Sequence, residues 1–370
     1  MPSDDDIARL RLIRAEGVGP VTYRRLLERY RTPVAALAAV PHLAKSGGRS
    51  GAPAIPSVGD ANREFDATAR LGGQLIFLGD ALYPPLLARL EDAPPVIAVL
   101  GDAALLASPA VAIVGGRNAS AAGLKMAEIL AERLASRVTI VSGLARGVDG
   151  IAHTAAMRTG KTIAAVAGGL DVPYPAENIA LQRLIAERGA VLTEAPPGTE
   201  PQARHFPKRN RLIAGLSLGV VVVEAARRSG SLITARIAQD LGREVFVVPG
   251  SPLDPRTHGG NDLIREGAVL VGSADDVLDG LPGFGGLFTG EVMEADNPDP
   301  FEDGFPADLD VGQARSQLMG LLGPTPIHVD DLARRCQLSA AAVLAALLEL
   351  ELSGRVEAQP GNRFALLTRP

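Results

Sequence analysis

The sequence predicts an α/β protein: a Rossmann-like, doubly wound and mostly parallel sheet in the middle, a helical domain before it and a winged helix after it. Three observations predict this. Between 96 and 281 short apolar runs alternate with helix-length segments, the pattern of parallel strands covered on both faces. Several of these runs end in glycine-containing turns that open helices. Residues 311–370 carry two short helical patterns followed by a hairpin pattern.

In chain order, residues 7–45 read as helices, with Ile7, Leu10 and Ile13 and then Leu26, Leu27 and Leu37 at helical spacing. Gly17-Val18-Gly19 joins the first two. Residues 46–60 are rich in Gly, Ser and Pro and read as a loop. A short helix near 61–71 and a strand at 74–78 follow. The apolar runs are 96–100, 111–115, 138–143, 162–169, 190–194, 219–225, 244–250 and 268–272. Residues 281–310 hold eight acids and no Lys or Arg among many Gly and Pro, the composition of an extended acidic linker. From Ile327 to Leu352 two helices break near Cys336–Ser339. The segments 354–356 and 363–366 then form a hairpin around Pro360-Gly361-Asn362. The expected domains are 1–72, helical; 73–281, Rossmann-like; 282–310, linker; and 311–370, winged helix.

Composition excludes several classes of function. Cys336 is the only cysteine, so neither an intramolecular disulfide nor a cysteine-based zinc site can form. No apolar run approaches the ~20 residues of a membrane span, and the acidic first residues lack a signal core, so a cytoplasmic protein is expected. With no Trp and 4% aromatic residues, any base-stacking surface rests on few side chains. The net charge of −5 speaks against nucleic acid only globally, because a binding patch is local.

The candidate site residues lie after the strands, where ligands bind on such sheets. Gly115-Gly116-Arg117 ends one strand before a helix whose free N–H groups can face an anion. Arg117 can grip a phosphate with two bonds. Ser142-Gly143, with Arg146, forms a second such turn. Arg204-His205-Phe206-Pro207-Lys208-Arg209-Asn210-Arg211 has four strong cations in eight residues and no acid, with a helix expected from about Asn210. Its Lys and Arg suit phosphates and Phe206 offers a face to a base. Ser229-Gly230-Ser231 is a further small-residue helix start. Glu224 is expected to brace an Arg rather than accept from a base. Asp149 and His153, four residues apart, could form an acid–base pair; a helix brace and a hydrogen-bonded packing residue are the favoured reading. No catalytic set, metal site or cofactor site is expected.

Six ordered blocks carry a family resemblance: VAIVGGRNAS, SGLARGVDGIAHTAAM, GGLDVPYPAENIALQRLI, TEAPPGTEPQARHFPKRNRLIAGLS, VVVEAARRSGSLITARIAQDLGREVFVVPGS and GGNDLIREGA. Together they resemble the DNA processing protein A (DprA/Smf) family across nearly all of 75–272. Where that family usually reads Gly-Ser-Arg, this chain has Gly115-Gly116-Arg117. The resemblance implies single-stranded DNA binding in natural transformation, protection of incoming DNA, loading of the RecA recombinase, and a homodimer. It also implies a sterile-alpha-motif-like N-terminal domain. The turn at Gly17–Gly19 resembles a helix-hairpin-helix, read equally as a phosphate-facing turn or as a tight connection. The second winged-helix helix, about Ser339–Ser353, carries Glu349 and Glu351 and no cation, so a protein contact or a weak DNA contact is expected there. A chain cut near Leu281 is expected to keep its fold and its DNA binding. The alternative is a nucleotide-processing enzyme of the lysine-decarboxylase-like phosphoribohydrolase type. Such enzymes carry an acidic Pro-Gly-Gly-x-Gly-Thr-x-x-Glu segment where this chain has Arg228–Ala235.

Overall fold

The computed structural model describes residues 2–284, 311–359 and 361–367, so the acidic segment 282–310 lies outside the described residues except at its first three positions. The chain forms two compact units. One comprises Met1–Arg63, Glu91–Pro95 and Glu294–Pro370; the other comprises Glu64–Leu90 and Val96–Met293.

The N-terminal helices are α1 (Asp4–Ile13), α2 (Pro20–Tyr30), α3 (Pro33–Ser46) and α4 (Val58–Arg70). Ser3 caps α1 in a capping box with Asp6, and α2 and α3 begin with proline at the first helical position. The sheet elements follow: β1 (Gly73–Phe77), α5 (Pro85–Ala88), β2 (Val96–Gly101), β3 (Ala110–Gly115), α6 (Ala121–Leu134), β4 (Thr139–Ser142) and α7 (Val148–Thr159). Next come β5 (Thr162–Ala165), α8 (Ile179–Arg188), β6 (Ala190–Thr193), α9 (His205–Leu216), β7 (Gly219–Val223) and α10 (Gly230–Asp240). The unit closes with β8 (Glu244–Val247), α11 (His258–Arg265), β9 (Val269–Leu270) and α12 (Ala274–Gly280).

The nine strands lie in the order β1-β2-β6-β5-β4-β3-β7-β8-β9. All neighbours from β6 to β9 are parallel; β1 with β2 and β2 with β6 are antiparallel. This departs from the expected helix between every pair of strands. Only a short 3-10 helix, Ala103–Ala107, links β2 to β3. Running antiparallel, β2 ends at the edge where the parallel strands begin, so the chain reaches β3 without a crossover helix. The order reverses between β3 and β7, and the crevice of such a sheet opens at that switch point. Val111, Ile113, Ile140, Val221 and Phe246 are fully buried in the core on one face, against α6, α7 and α12. Several strands stop short of the expected runs. β5 ends at Ala165 and β8 at Val247, although Val166 and Val248 still donate their N–H groups to Leu192 O and Val222 O of the neighbouring strands.

The C-terminal elements are α13 (Val311–Leu321), β10 (Ile327–His328), α14 (Val329–Cys336), α15 (Ala340–Leu352), β11 (Val356–Gln359) and β12 (Arg363–Leu366). They form a winged helix with the three-stranded order β10-β12-β11. One face of α15 packs in its core through Val343, Leu347 and Leu350, with Phe364. The other face enters the N-terminal helical core, where Leu348 and Leu352 lie with Leu12, Leu26, Val40 and Leu43.

Candidate nucleic-acid interface

At the switch point the turns after β3 and β4 touch. Val148 donates its N–H to Gly116 O at 3.3 Å. A Cβ on Gly147, whose φ is +74°, would lie 2.3 Å from the same oxygen. The sequence-predicted pair of glycine turns is therefore adjacent. Their contents differ from expectation in one respect. Glu224, at the end of β7, makes no hydrogen bond to an Arg among the described residues, although it lies in the field of Arg256. Its carboxylate accepts the Ser120 N–H at 2.7 Å and the Ser120 hydroxyl. Ser120 in turn caps α6, accepting from Gly123 N at 3.0 Å. The helix start expected to face an external anion already holds an internal carboxylate, which a helix N-terminus favours.

The basic block is helical from His205, five residues earlier than the sequence suggested, so it is not a loop. Helical geometry sorts its side chains. Arg204 and Lys208, four apart, both point to solvent. Arg209 turns inward: it is 6% exposed, and its Nη1 lies 3.9 Å from the Asp149 carboxylate. Asn210 is buried and donates to Gly230 O at 3.3 Å, tying α9 to the start of α10. Arg211 pairs with Glu194 at 2.6 Å. Arg146 is exposed and pairs with Glu177. Ser142 is fully buried and donates its hydroxyl to Ile113 O at 2.6 Å, so it fixes the strand end and offers nothing to a ligand. Gly115 and Gly116 serve close backbone approach, a Cβ on Gly115 lying 2.0 Å from Val223 O, whereas Gly143 makes room for the Arg209 side chain. Ser229 and Ser231 share their hydroxyls at 2.6 Å at the α10 start, and Gly230 is open to solvent.

Arg117, Arg204 and Lys208 thus remain the site cations with no carboxylate partner among the described residues. Arg117 lies over the half-buried Phe206 ring, 5.4 Å from its centroid, and Arg209 approaches the same ring at 5.8 Å. Tyr174 meets Phe206 edge-on with centroids 5.8 Å apart, and it is 49% exposed. Sequence reasoning missed Tyr174. The signal was available: one of four tyrosines in a chain without Trp, flanked by prolines just past β5.

Asp149 and His153 do not face the crevice. Asp149 is 6% exposed and accepts from Ala145 N at 3.2 Å; burial pushes its pKa up, against the pull of Arg209. His153 is fully buried. Thr162 gives its hydroxyl proton to Ile140 O, so its oxygen accepts from His153 Nδ1 at 2.7 Å, leaving Nε2 unprotonated. Burial lowers the His153 pKa to about 3. The two residues act as brace and packing group, as expected. No cluster of His, Cys, Asp and Glu suited to a metal occurs among the described residues, and none of their helices is long and apolar enough to cross a membrane.

Comparison with known proteins bears on the same regions. Residues 74–282 match the DNA recombination-mediator protein A family, 306–362 its winged helix domain and 3–67 its N-terminal helix-hairpin-helix domain. Protein Smf of Escherichia coli K12 is 41% identical over 297 residues, 79% of this chain and 77% of that protein. The X-ray structure of DNA processing protein A from Streptococcus pneumoniae superposes with a TM-score of 0.65 at 38% identity, over 76% of this chain and 99% of that one. A Helicobacter pylori structure, described for the single-stranded DNA binding mode of its DNA processing protein A, gives 0.51 at 33% identity, over 55% of this chain and 94% of that one. On the extent of the family match and the identity to Smf, this chain belongs to the DNA recombination-mediator protein A family of DNA-processing proteins.

Proposed function

We propose that this chain binds single-stranded DNA at the carboxyl edge of its parallel sheet and does no covalent chemistry there. The observation that carries the reading is the half-buried Phe206 ring, with the Arg117 and Arg209 guanidinium groups 5.4 and 5.8 Å from its centroid and Tyr174 meeting it edge-on. A base face can stack on such aromatics only when unpaired, while Arg117, Arg204 and Lys208 neutralise the phosphates beside it. Gly230 and the capped start of α10 extend the same edge. Asp149 and His153, both buried, offer no acid or base to a bound nucleotide. The single-stranded DNA binding named for the H. pylori relative supports the reading.

Within that reading the protein acts in the cytoplasm, protects incoming DNA in natural transformation and loads the RecA recombinase onto it. Family membership supports these roles. Family membership also supports a homodimer, and Val269 and Leu270, 40% and 55% exposed on β9, leave apolar surface at the end of the sheet. We propose domain limits of 1–72, 73–281, 282–310 and 311–370 for dissecting these functions.

Anisotropy titrations with single-stranded and duplex DNA of equal length test the binding. Tighter single-strand binding with little sequence dependence is expected; equal or better duplex binding by the same site overturns the reading. Loading is tested separately, by RecA assembly on DNA coated with single-strand-binding protein.

A further inference from the structure

The start of α9 is weak by its own sequence. Its N-cap is Arg204, whose side chain makes no capping bond, and its first turn holds no acid. Arg204 and Lys208 instead place positive charge where the helix dipole is already positive. Lack of a cap and charge of the wrong sign both loosen a helix start. Yet this turn carries Phe206, so its winding decides where the ring sits.

Contacts with neighbouring elements hold the helix instead. Asn210 bonds Gly230 O and Arg211 pairs with Glu194, both in the second turn. Arg209 is the anchor next to the first turn. It lies three residues after Phe206 and so on the same face, and helical side chains lean toward the N-terminus. Its guanidinium accordingly lies 5.8 Å from the Phe206 centroid. Beyond the ring it passes in front of Gly143 to Asp149 of α7, Nη1 to carboxylate 3.9 Å. Both residues are 6% exposed, so solvent screens their attraction little. The buried Arg209 Nε has no hydrogen-bond partner among the described residues, which leaves the ion pair as the polar anchor of this side chain. The carboxylate is fixed in turn, since it accepts the Ala145 N–H at 3.2 Å.

We propose that Asp149 is a positioning residue for single-stranded DNA: through Arg209 it keeps the first turn of α9 wound and the Phe206 ring in place beside Arg117, while touching no nucleotide itself. The proposal rests on the single-strand site around Phe206. It gives the buried carboxylate a part in binding, beyond bracing the sheet.

The test is Asp149→Asn in the full chain, with Phe206→Ala made in both the wild-type and the Asp149→Asn background. Asparagine keeps an oxygen for the Ala145 N–H and loses the charge. Binding of a labelled single-stranded oligonucleotide is titrated where urea unfolding shows each variant folded, and amide exchange is followed through α9 and the sheet. Asp149→Asn should lower affinity roughly fivefold or more, the lower end of what one lost base stack gives. Exchange in the first turn of α9 should quicken while β3, β4 and β7 stay protected. Phe206→Ala should then cost less than about twofold in the Asp149→Asn background, because the ring is already displaced. A role in stability alone would leave the cost of Phe206→Ala unchanged. Asp149→Asn with Arg209→Gln leaves no unpaired buried charge and is read in the same way if the single change unfolds the chain. Wild-type affinity in the folded variant, an undiminished cost of Phe206→Ala, or unchanged exchange at α9 each overturns the proposal alone. Phe206→Ala without effect in the wild-type background overturns the single-strand reading, and this proposal with it.

Discussion

The Arg209 guanidinium fills the space in front of Gly143: a Cβ at that glycine would lie 1.2 Å from Nη1. The glycine after β4 is there to admit a cation that meets Asp149 out of solvent. Gly143→Ala should therefore expel Arg209, unpair Asp149 and leave a buried charge, at a cost of about 3–5 kcal/mol. Gly230→Ala is the control, since nothing lies within 4 Å of a Cβ there. Urea unfolding distinguishes them; equal stability of the two variants would remove the role given to Gly143.

Phe206→Ala should weaken single-strand binding by about 1–3 kcal/mol if the ring stacks on a base. Arg117→Ala and Lys208→Ala should each lower affinity and make the salt dependence shallower, by about 0.7 for each phosphate left without its cation. Both side chains are exposed, so thermal stability should hold. Anisotropy titrations at several salt concentrations give the slopes.

Tyr174→Ala should also weaken single-strand binding, because it removes an exposed ring and the edge that steadies Phe206. Tyr174→Phe should retain the affinity. A deficit in both would mean that the hydroxyl, not the ring, carries the effect.

His153 gives a pH signature. Its folded-state pKa is lowered from 6.5 to about 3, so below 6.5 the unfolded chain takes up a proton that the folded chain refuses. Its stabilising contribution is fully present above 6.5 and is lost as pH falls toward 3, by up to about 1.4 kcal/mol per pH unit. His153→Leu removes this effect. The unfolding free energy of the variant should decline less steeply than that of the wild type between pH 6.5 and about 4, measured by denaturant titration at each pH.

Most of the sheet was legible because buried parallel strands write themselves as apolar runs; all nine expected strands are present. Direction was less legible. Val96–Gly101 reads like its neighbours, and only the short link to β3 hints that it runs the other way. At the site, residue types were legible but their facing was not. The eight-residue basic block looks uniformly exposed, and a five-residue shift in the helix start decides that Lys208 faces water while Arg209 does not. Ser142 and Glu224 show the same limit: a hydroxyl and a carboxylate at strand ends could serve a ligand or the protein, and here they serve Ile113 and Ser120. Glu349 was visible as an oddity, but its partner Arg315 lies 34 residues away on α13, beyond the reach of any local pattern.

The packing of Leu348 and Leu352 alters what a chain cut near Leu281 should do. Single-strand binding is still expected, since the site cations precede the cut. The N-terminal helices, however, lose two core residues, and they should show faster proteolysis than in the full chain. Mass spectrometry of a brief protease digest reads this directly.

Because the first unit is assembled from both ends of the polypeptide, it also fixes an order of events on the ribosome. Helices α1 to α3 emerge first, but their last core residues follow about 300 residues later, which at roughly 5–20 residues per second is about 15–60 s. Throughout that interval the sheet can complete itself while the nascent N-terminal domain shows an unfinished apolar face to the cell. The segment around Leu12, Val40 and Leu43 thus waits for α15, which emerges after the whole sheet and covers it.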